Sequence, residues 1–195
     1  MIKAVIFDYG MVLSTPQLHA PLERMIALTG LHHEQFSMIY WENRLAYDRA
    51  DLNGEQYWSL FGDMQSKFAD LYQADGESWN GIEQSMVDWS FELKAKGLRV
   101  GLLSNIPTEV RDYVVAHQPW MQDYHYRTFS CDLNCAKPEA GIYLECVQGL
   151  GVTPQETIFI DDRPNNVAGA AKVGLHAILH TSEAETKQAV AALLA

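Results

Sequence analysis

Runs of basic residues are missing from this chain of 195 residues, and its 14 Lys and Arg stand against 25 Asp and Glu for a formal net charge of −11. Nucleic-acid backbones are bound mainly through clustered Lys and Arg, so this balance excludes a nucleic-acid partner. Any phosphate ligand must be caught by a few placed donors and a metal, not by the field of the whole molecule. Long apolar runs are missing too. Nothing approaches the ~20 residues of a membrane span, and the stretch from Met1 to Phe7 is too short for a signal segment. A cytoplasmic protein without a membrane partner is therefore expected. Cysteine is scarce: Cys131, Cys135 and Cys146 are an odd number in a chain large enough to need no disulfide staple, so reduced thiols are expected. The pair Cys131 and Cys135 lacks the second Cys or His pair of a four-ligand zinc site. Internal repeats and low-complexity segments are absent.

What is present is the make-up of a globular protein, 48% hydrophobic and 20% charged, with enough residues for a sizeable core. Ala4-Val5-Ile6-Phe7 is a continuous apolar run ending at an acid, the pattern of a strand buried on both faces of a parallel sheet. Residues 99–103, 157–160 and 176–179 repeat it. Helix-like segments follow at 107–117, 138–150 and 166–173. This alternation predicts an α/β fold, a doubly wound, Rossmann-like parallel sheet. In such sheets ligands bind beyond the carboxyl ends of the strands, which here are Asp8, Ser104-Asn105 and Asp161-Asp162.

Between Ser14 and about Gly97 the strand pattern disappears and the composition turns aromatic and helical. The expected organisation is an α/β core of residues 1–14 and 97–195, with 15–96 forming a helical cap and a return helix closed by Gly97. An insert directly after the first strand projects over the ligand-binding edge and can act as a lid. Its aromatics, Trp41, Tyr47, Trp58 and Trp79 among them, are expected to pack between helices. That density permits a dimer as well as a monomer. Arg44 and Arg49 could bind an anionic substrate, although a solvated helix face is the simpler expectation.

Phe7-Asp8-Tyr9-Gly10-Met11-Val12-Leu13, Leu103-Ser104-Asn105, Lys137-Pro138-Glu139 and Ile160-Asp161-Asp162 resemble the four ordered motifs of the haloacid dehalogenase (HAD) superfamily. Their order and spacing span nearly the whole chain. The resemblance implies a helical-cap hydrolase that moves a phosphoryl group, with Asp8 as nucleophile and Mg²⁺ as cofactor. Phosphoryl transfer needs a placed nucleophile, a metal and cationic or hydrogen-bonding clamps. The adjacent acids Asp161 and Asp162 repel unless a cation sits between them and Asp8, and hard oxygen ligands suit Mg²⁺. By the same resemblance Asp162 holds the metal most directly, with Asp161 beside it, and the Gly10 carbonyl supplies a further ligand. Ser104 offers its hydroxyl to phosphate oxygens, helped by Asn105. Lys137 brings a point positive charge that holds phosphate and offsets the charge of Asp8. Asn165 and Asn166 lie where the family often has another acid, and an amide there could hydrogen-bond behind the metal ligands.

The departure from the pattern is Gly10, which stands where phosphatases carry the second Asp of Asp-x-Asp. That acid protonates the leaving oxygen, a contribution of order 10²–10⁴ in rate. Three readings follow. One is a phosphatase similar to the Asp-x-Gly subgroup, in which sugar-1-phosphate phosphatases occur. Its small phosphorylated substrate would have a leaving group needing little protonation. A second is a 2-haloacid dehalogenase, which needs no Mg²⁺ and lacks the paired metal-binding acids. The third is a non-catalytic protein on the same scaffold, against which Asp8, Lys137 and both metal acids speak. His19 is the nearest candidate to replace the missing acid.

Overall fold

Alternation of side chains along buried strands builds the core. In the computed structural model, which describes residues 1–195, every residue of β1 (Ala4–Phe7) is buried. Ala4 and Ile6 join one apolar cluster, whereas Val5 and Phe7 join another. A strand that is apolar on both faces belongs in a parallel sheet covered on both sides. The sheet is five-stranded and parallel throughout, ordered β3-β2-β1-β4-β5, with β2 at Arg99–Ser104, β3 at Tyr126–Phe129, β4 at Thr157–Asp161 and β5 at His176–Leu179. Phe7 lies opposite both Leu102 and Ile160. This register brings Asp8, Ser104 and Asp161 to one edge.

Six helices complete the core. α6 (Gln84–Ala95), α7 (Thr108–His117) and α11 (Glu183–Leu194) give Met86, Val87, Val110, Val114 and Val190 to the cluster of Val5 and Phe7. α9 (Ala140–Leu150) and α10 (Pro164–Lys172) cover the other face with Ile142, Tyr143, Cys146 and Ala170. The short α8 (Ser130–Leu133) follows β3 directly.

The sequence pattern misses β3. Tyr126 and Arg127 are only half-buried, so this edge strand carries no continuous apolar run. β5 is the opposite edge strand and exposes His176 and Leu179, where burial on both faces was expected. α10 begins two residues earlier than predicted, at Pro164, whose missing N–H is harmless at a first helical position.

Between β1 and α6 the chain forms α1 (His19–Thr29), α2 (His33–Glu42), α3 (Arg44–Asp48), α4 (Gly54–Ser59) and α5 (Phe68–Ser78). They enclose a third apolar cluster that includes Met25, Phe36, Tyr40, Tyr57, Trp58 and Leu71. Tyr47 stacks on Tyr57 with centroids 4.1 Å apart, so most insert aromatics are packing residues. Ser14 and Ile82 pair in an isolated antiparallel bridge where the chain leaves for this layer and returns. α5 seats against α7 at Gly76, where an added Cβ would come within 2.4 Å of the Tyr113 ring. Glu109 of α7 accepts from Tyr47 Oη at 2.9 Å and from the Gly54 N–H at 3.2 Å. Arg49 Nη2 donates to the Asn134 carbonyl at 3.1 Å, and Asn134 Nδ2 donates back to the Arg49 carbonyl at 3.0 Å. No helix is long and apolar enough to cross a membrane.

Candidate active site

A pocket of about 70 Å³ opens between the strand ends and the helical layer, its floor formed by Asp8, Ser104, Lys137 and Asp162. Asp8 follows β1 and remains tied to the sheet, its N–H donating to the Ile160 carbonyl at 2.9 Å. Its Oδ1 accepts from the Tyr9 N–H at 2.7 Å. Lys137 Nζ lies 2.7 Å from Asp8 Oδ1 and 2.7 Å from Asp161 Oδ2. It donates to Asp161 Oδ2 and, at 3.1 Å, to the Leu103 carbonyl, with Asp8 as its further ionic partner. A buried Lys is tolerable only when paired this fully.

Asp161 is completely buried and saturated with donors. Beyond Lys137 it accepts from the Arg163 N–H at 2.8 Å and from Asn166 Nδ2 at 3.0 and 3.1 Å. Asn166 thus stands behind the acid as expected, whereas Asn165 is exposed. Asp162 is half-buried and accepts no side-chain hydrogen bond. Carboxylate oxygens of Asp8, Asp161 and Asp162 all lie within 4.8 Å of one another. The Gly10 carbonyl accepts no backbone hydrogen bond, and Gly10 lines the pocket. Open oxygens of this kind, with no nitrogen or sulfur among them, fit a hard divalent cation.

Electrostatics follows from burial. Burial pushes the Asp8 carboxyl well above the usual range, with Lys137 opposing and Asp161 adding to the rise. Asp161 is pushed up by burial as well, but Lys137 and the Arg163 N–H bring it below the usual value. Lys137 loses by burial and gains more from the two acids, ending above its ordinary value. The ammonium is therefore retained across the physiological range.

Asn105 lines the pocket as expected, and its side chain also has a structural task. Its Nδ2 donates to the Lys137 carbonyl at 3.0 Å and its Oδ1 accepts the Lys137 N–H at 2.9 Å, which fixes the backbone that carries the lysine. Ser104 keeps its hydroxyl nearly free, its only contact being 3.5 Å to the Asn105 carbonyl. His19 is corrected outright: its side chain is 85% exposed and pairs with Glu23, and it does not line the pocket.

Arg44 is corrected in the opposite sense. It is 7% exposed, not solvated, and it lines the roof of the pocket with Asp48. Arg44 Nε donates to Asp48 Oδ1 at 2.8 Å and Nη1 reaches Asp75 Oδ2 at 3.1 Å. Tyr40 Oη donates to Asp75 at 2.7 Å and also accepts from Arg44 Nη1. Trp79 is a second departure from simple core packing. It faces Gly10, where a Cβ would meet its ring at 3.9 Å, and its carbonyl accepts from Tyr9 Oη at 2.7 Å. Sequence reasoning missed Asp48, Asp75 and Trp79 as site residues. The spacing of Tyr40, Arg44 and Asp48, each four apart, was the available signal for one polar stripe.

A parallel, Rossmann-like α/β scaffold with acids at its strand ends and a helical layer above them is the class these features define. Residues 21–174 match the model of the haloacid dehalogenase-like hydrolases, and the chain belongs to that family. A HAD family enzyme from Bacteroides thetaiotaomicron is 20% identical with a TM-score of 0.80, covering 96% of this chain and 98% of that one. The same enzyme is solved in complex with magnesium and inorganic phosphate. A predicted HAD-like family hydrolase from Porphyromonas gingivalis is 25% identical with a TM-score of 0.78, covering 100% of this chain and 98% of that one. Flavin mononucleotide hydrolase 1 of Arabidopsis thaliana is 50% identical over 46 residues, 24% of this chain, and the chain spans only 19% of that relative's length.

Proposed function

We propose that this hydrolase is a Mg²⁺-dependent phosphatase that cleaves a small phosphomonoester, a sugar phosphate in the first instance, through an aspartyl-phosphate on Asp8. The observation that carries the reading is the convergence of three carboxylates within 4.8 Å of one another, two of them paired with one buried ammonium. Asp8, Asp162 and the Gly10 carbonyl are the groups to hold the metal, with Asp161 beside them. When bound, Mg²⁺ supplies positive charge to the phosphoryl oxygens and favours the ionised form of Asp8.

The protein's own groups divide the remaining work. Lys137 pairs with Asp8 Oδ1 and the Tyr9 N–H donates to the same oxygen, leaving Oδ2 as the attacking atom. Attack on phosphorus forms the Asp8 O–P bond and breaks the bond to the substrate's ester oxygen, which leaves. Ser104 and Lys137 hold the phosphoryl oxygens through that transfer. Water then cleaves the acyl phosphate, releasing inorganic phosphate and restoring the Asp8 carboxylate. With glycine at position 10 no carboxylate protonates the leaving oxygen from motif one. Leaving groups that depart with little protonation, such as an anomeric sugar oxygen, suit the site best. Asp161 and Asp162 together favour phosphate over a haloacid, whose displacement needs no cation.

The test is release of phosphate from p-nitrophenyl phosphate and a panel of sugar phosphates with and without Mg²⁺, run beside chloride release from 2-chloropropionate. Mg²⁺-dependent phosphate release is expected. Metal-independent chloride release would establish the dehalogenase, and silence in both would move the binding-protein reading to the front.

A further inference from the structure

We infer that Arg44 and Asp48 select the substrate by its leaving group, accepting an uncharged, hydroxyl-bearing tail and rejecting one that carries a second anion. This rests on the phosphatase reading above and adds to it the residues that choose among phosphomonoesters.

An ion pair that is only structural uses up its own donors and acceptors. This one does not. Arg44 Nε is given to Asp48 and Nη1 to Asp75 and Tyr40, while Nη2 has no protein partner. Asp48 accepts only at Oδ1, which leaves Oδ2 open as well. Neither free atom is sealed from solvent, since the only buried polar side-chain atoms without partners are in Trp58 and Thr128. Both residues line the pocket above Asp8. A donor edge and an acceptor oxygen on one ion pair complement a hydroxyl, which both accepts and donates.

Charge decides what the roof refuses. One guanidinium faces two carboxylates, Asp48 at 8% exposure and Asp75 at 0%, so the cluster is net negative. A second phosphate or a carboxylate placed there would meet uncompensated like charge away from bulk water. The walls agree with a ring-shaped neutral tail. Trp41 and Trp79 both line the pocket, with ring centroids 6.3 Å apart and planes at 87°. Trp79 is held in place by Nε1 donating to Tyr40 Oη at 3.2 Å. Indole faces present apolar surface to the C–H side of a sugar. One other cation could receive a second anion. Arg163 lines the pocket at its exposed rim and forms no ion pair.

Glucose 1-phosphate and glucuronic acid 1-phosphate share a leaving oxygen and differ by one distal carboxylate. In Mg²⁺ assays of the full chain, kcat/KM should favour the glucose compound by about tenfold or more. Asp48→Asn should bring that ratio down towards one or below it, because the roof then holds one carboxylate per guanidinium. A merely structural role for Asp48 would lower both values and keep the ratio, which overturns the inference. A wild-type preference for the glucuronic acid compound, lost in Arg163→Ala, overturns it too by placing a second-anion site at the rim. The wild-type comparison needs no variant, so misfolding of Asp48→Asn leaves it decisive. Calorimetric binding of the same two compounds to Asp8→Asn protein, with and without the Asp48 change, gives a readout without turnover. If no phosphate is released yet binding still favours glucose 1-phosphate through Asp48, the phosphatase reading fails while the selection by Arg44 and Asp48 stands.

Discussion

Floor and roof of the pocket repeat one charge pattern with different parts. On the floor, Lys137 sits between Asp8 and Asp161; in the roof, Arg44 sits between Asp48 and Asp75. The floor gathers its three residues from distant points of the chain through the ends of parallel strands. The roof takes two of its three from the single five-residue helix α3. Lys137 is a point charge shared between two carboxylates and the Leu103 carbonyl, whereas the planar guanidinium keeps one edge for something else. A lysine serves where charge alone is needed, and an arginine where directed hydrogen bonds are. On the reading proposed above, the floor holds and transfers a charged group and the roof recognises what is attached to it.

Experiments can break this comparison, and the largest effect is expected at the nucleophile. Asp8→Asn should lower phosphate release by at least about 10³-fold while far-UV circular dichroism is unchanged. Wild-type rates in that variant would remove Asp8 from the mechanism. Next come the two cations. Lys137→Ala and Arg44→Ala each leave buried carboxylates unpaired, at a cost of roughly 3–5 kcal/mol in urea unfolding at pH 7. They should differ in what rescues them: Mg²⁺ should restore stability to the Lys137 variant and not to the Arg44 variant.

The pH dependence has a definite sign. Without Lys137, Asp8 is held still further above its unfolded pKa, so the folded state binds the extra proton. The stability defect of Lys137→Ala should therefore shrink as pH falls from 7 towards 5 and widen as pH rises. A defect independent of pH would mean that the loss is one of packing.

Gly10→Asp sharpens the leaving-group argument. The backbone at Gly10 is not left-handed, and a Cβ would meet only the Trp79 ring at 3.9 Å. Hydrolysis of alkyl phosphates should rise by up to about 10²-fold, with little change for p-nitrophenyl phosphate. No rise would mean that another group already supplies the proton. The smallest effect is expected at Arg49, which pairs with Glu139 at the surface. Arg49→Ala should cost no more than about 1 kcal/mol of stability in urea unfolding.

How legible each part was follows from these origins. Asp8, Ser104, Asp161 and Asp162 end buried apolar runs, and such runs are visible as unbroken stretches. β3 was hidden because an edge strand needs only part of its surface buried, and Arg127 interrupts it. Arg44 was read as solvated because nothing in its neighbourhood announces Asp75, which meets it from α5. The tie from Asn105 to the Lys137 backbone was not legible, because the path that returns the Lys137 loop to it is not written in either segment.

Apolar periodicity by itself determined that this chain forms a parallel α/β sheet with a helical insert, and that three polar segments meet at its carboxyl edge; the fourth, at Lys137, came from the resemblance of its motif. Burial of alternating side chains leaves a strand few other solutions. Only the tertiary structure decided which partner each charged group meets, that Asn105 holds the lysine, that His19 stays in solvent and that Arg44 is buried with one edge free. Pairing depends on angles and distances between elements far apart in the chain, and those are set when the layers pack.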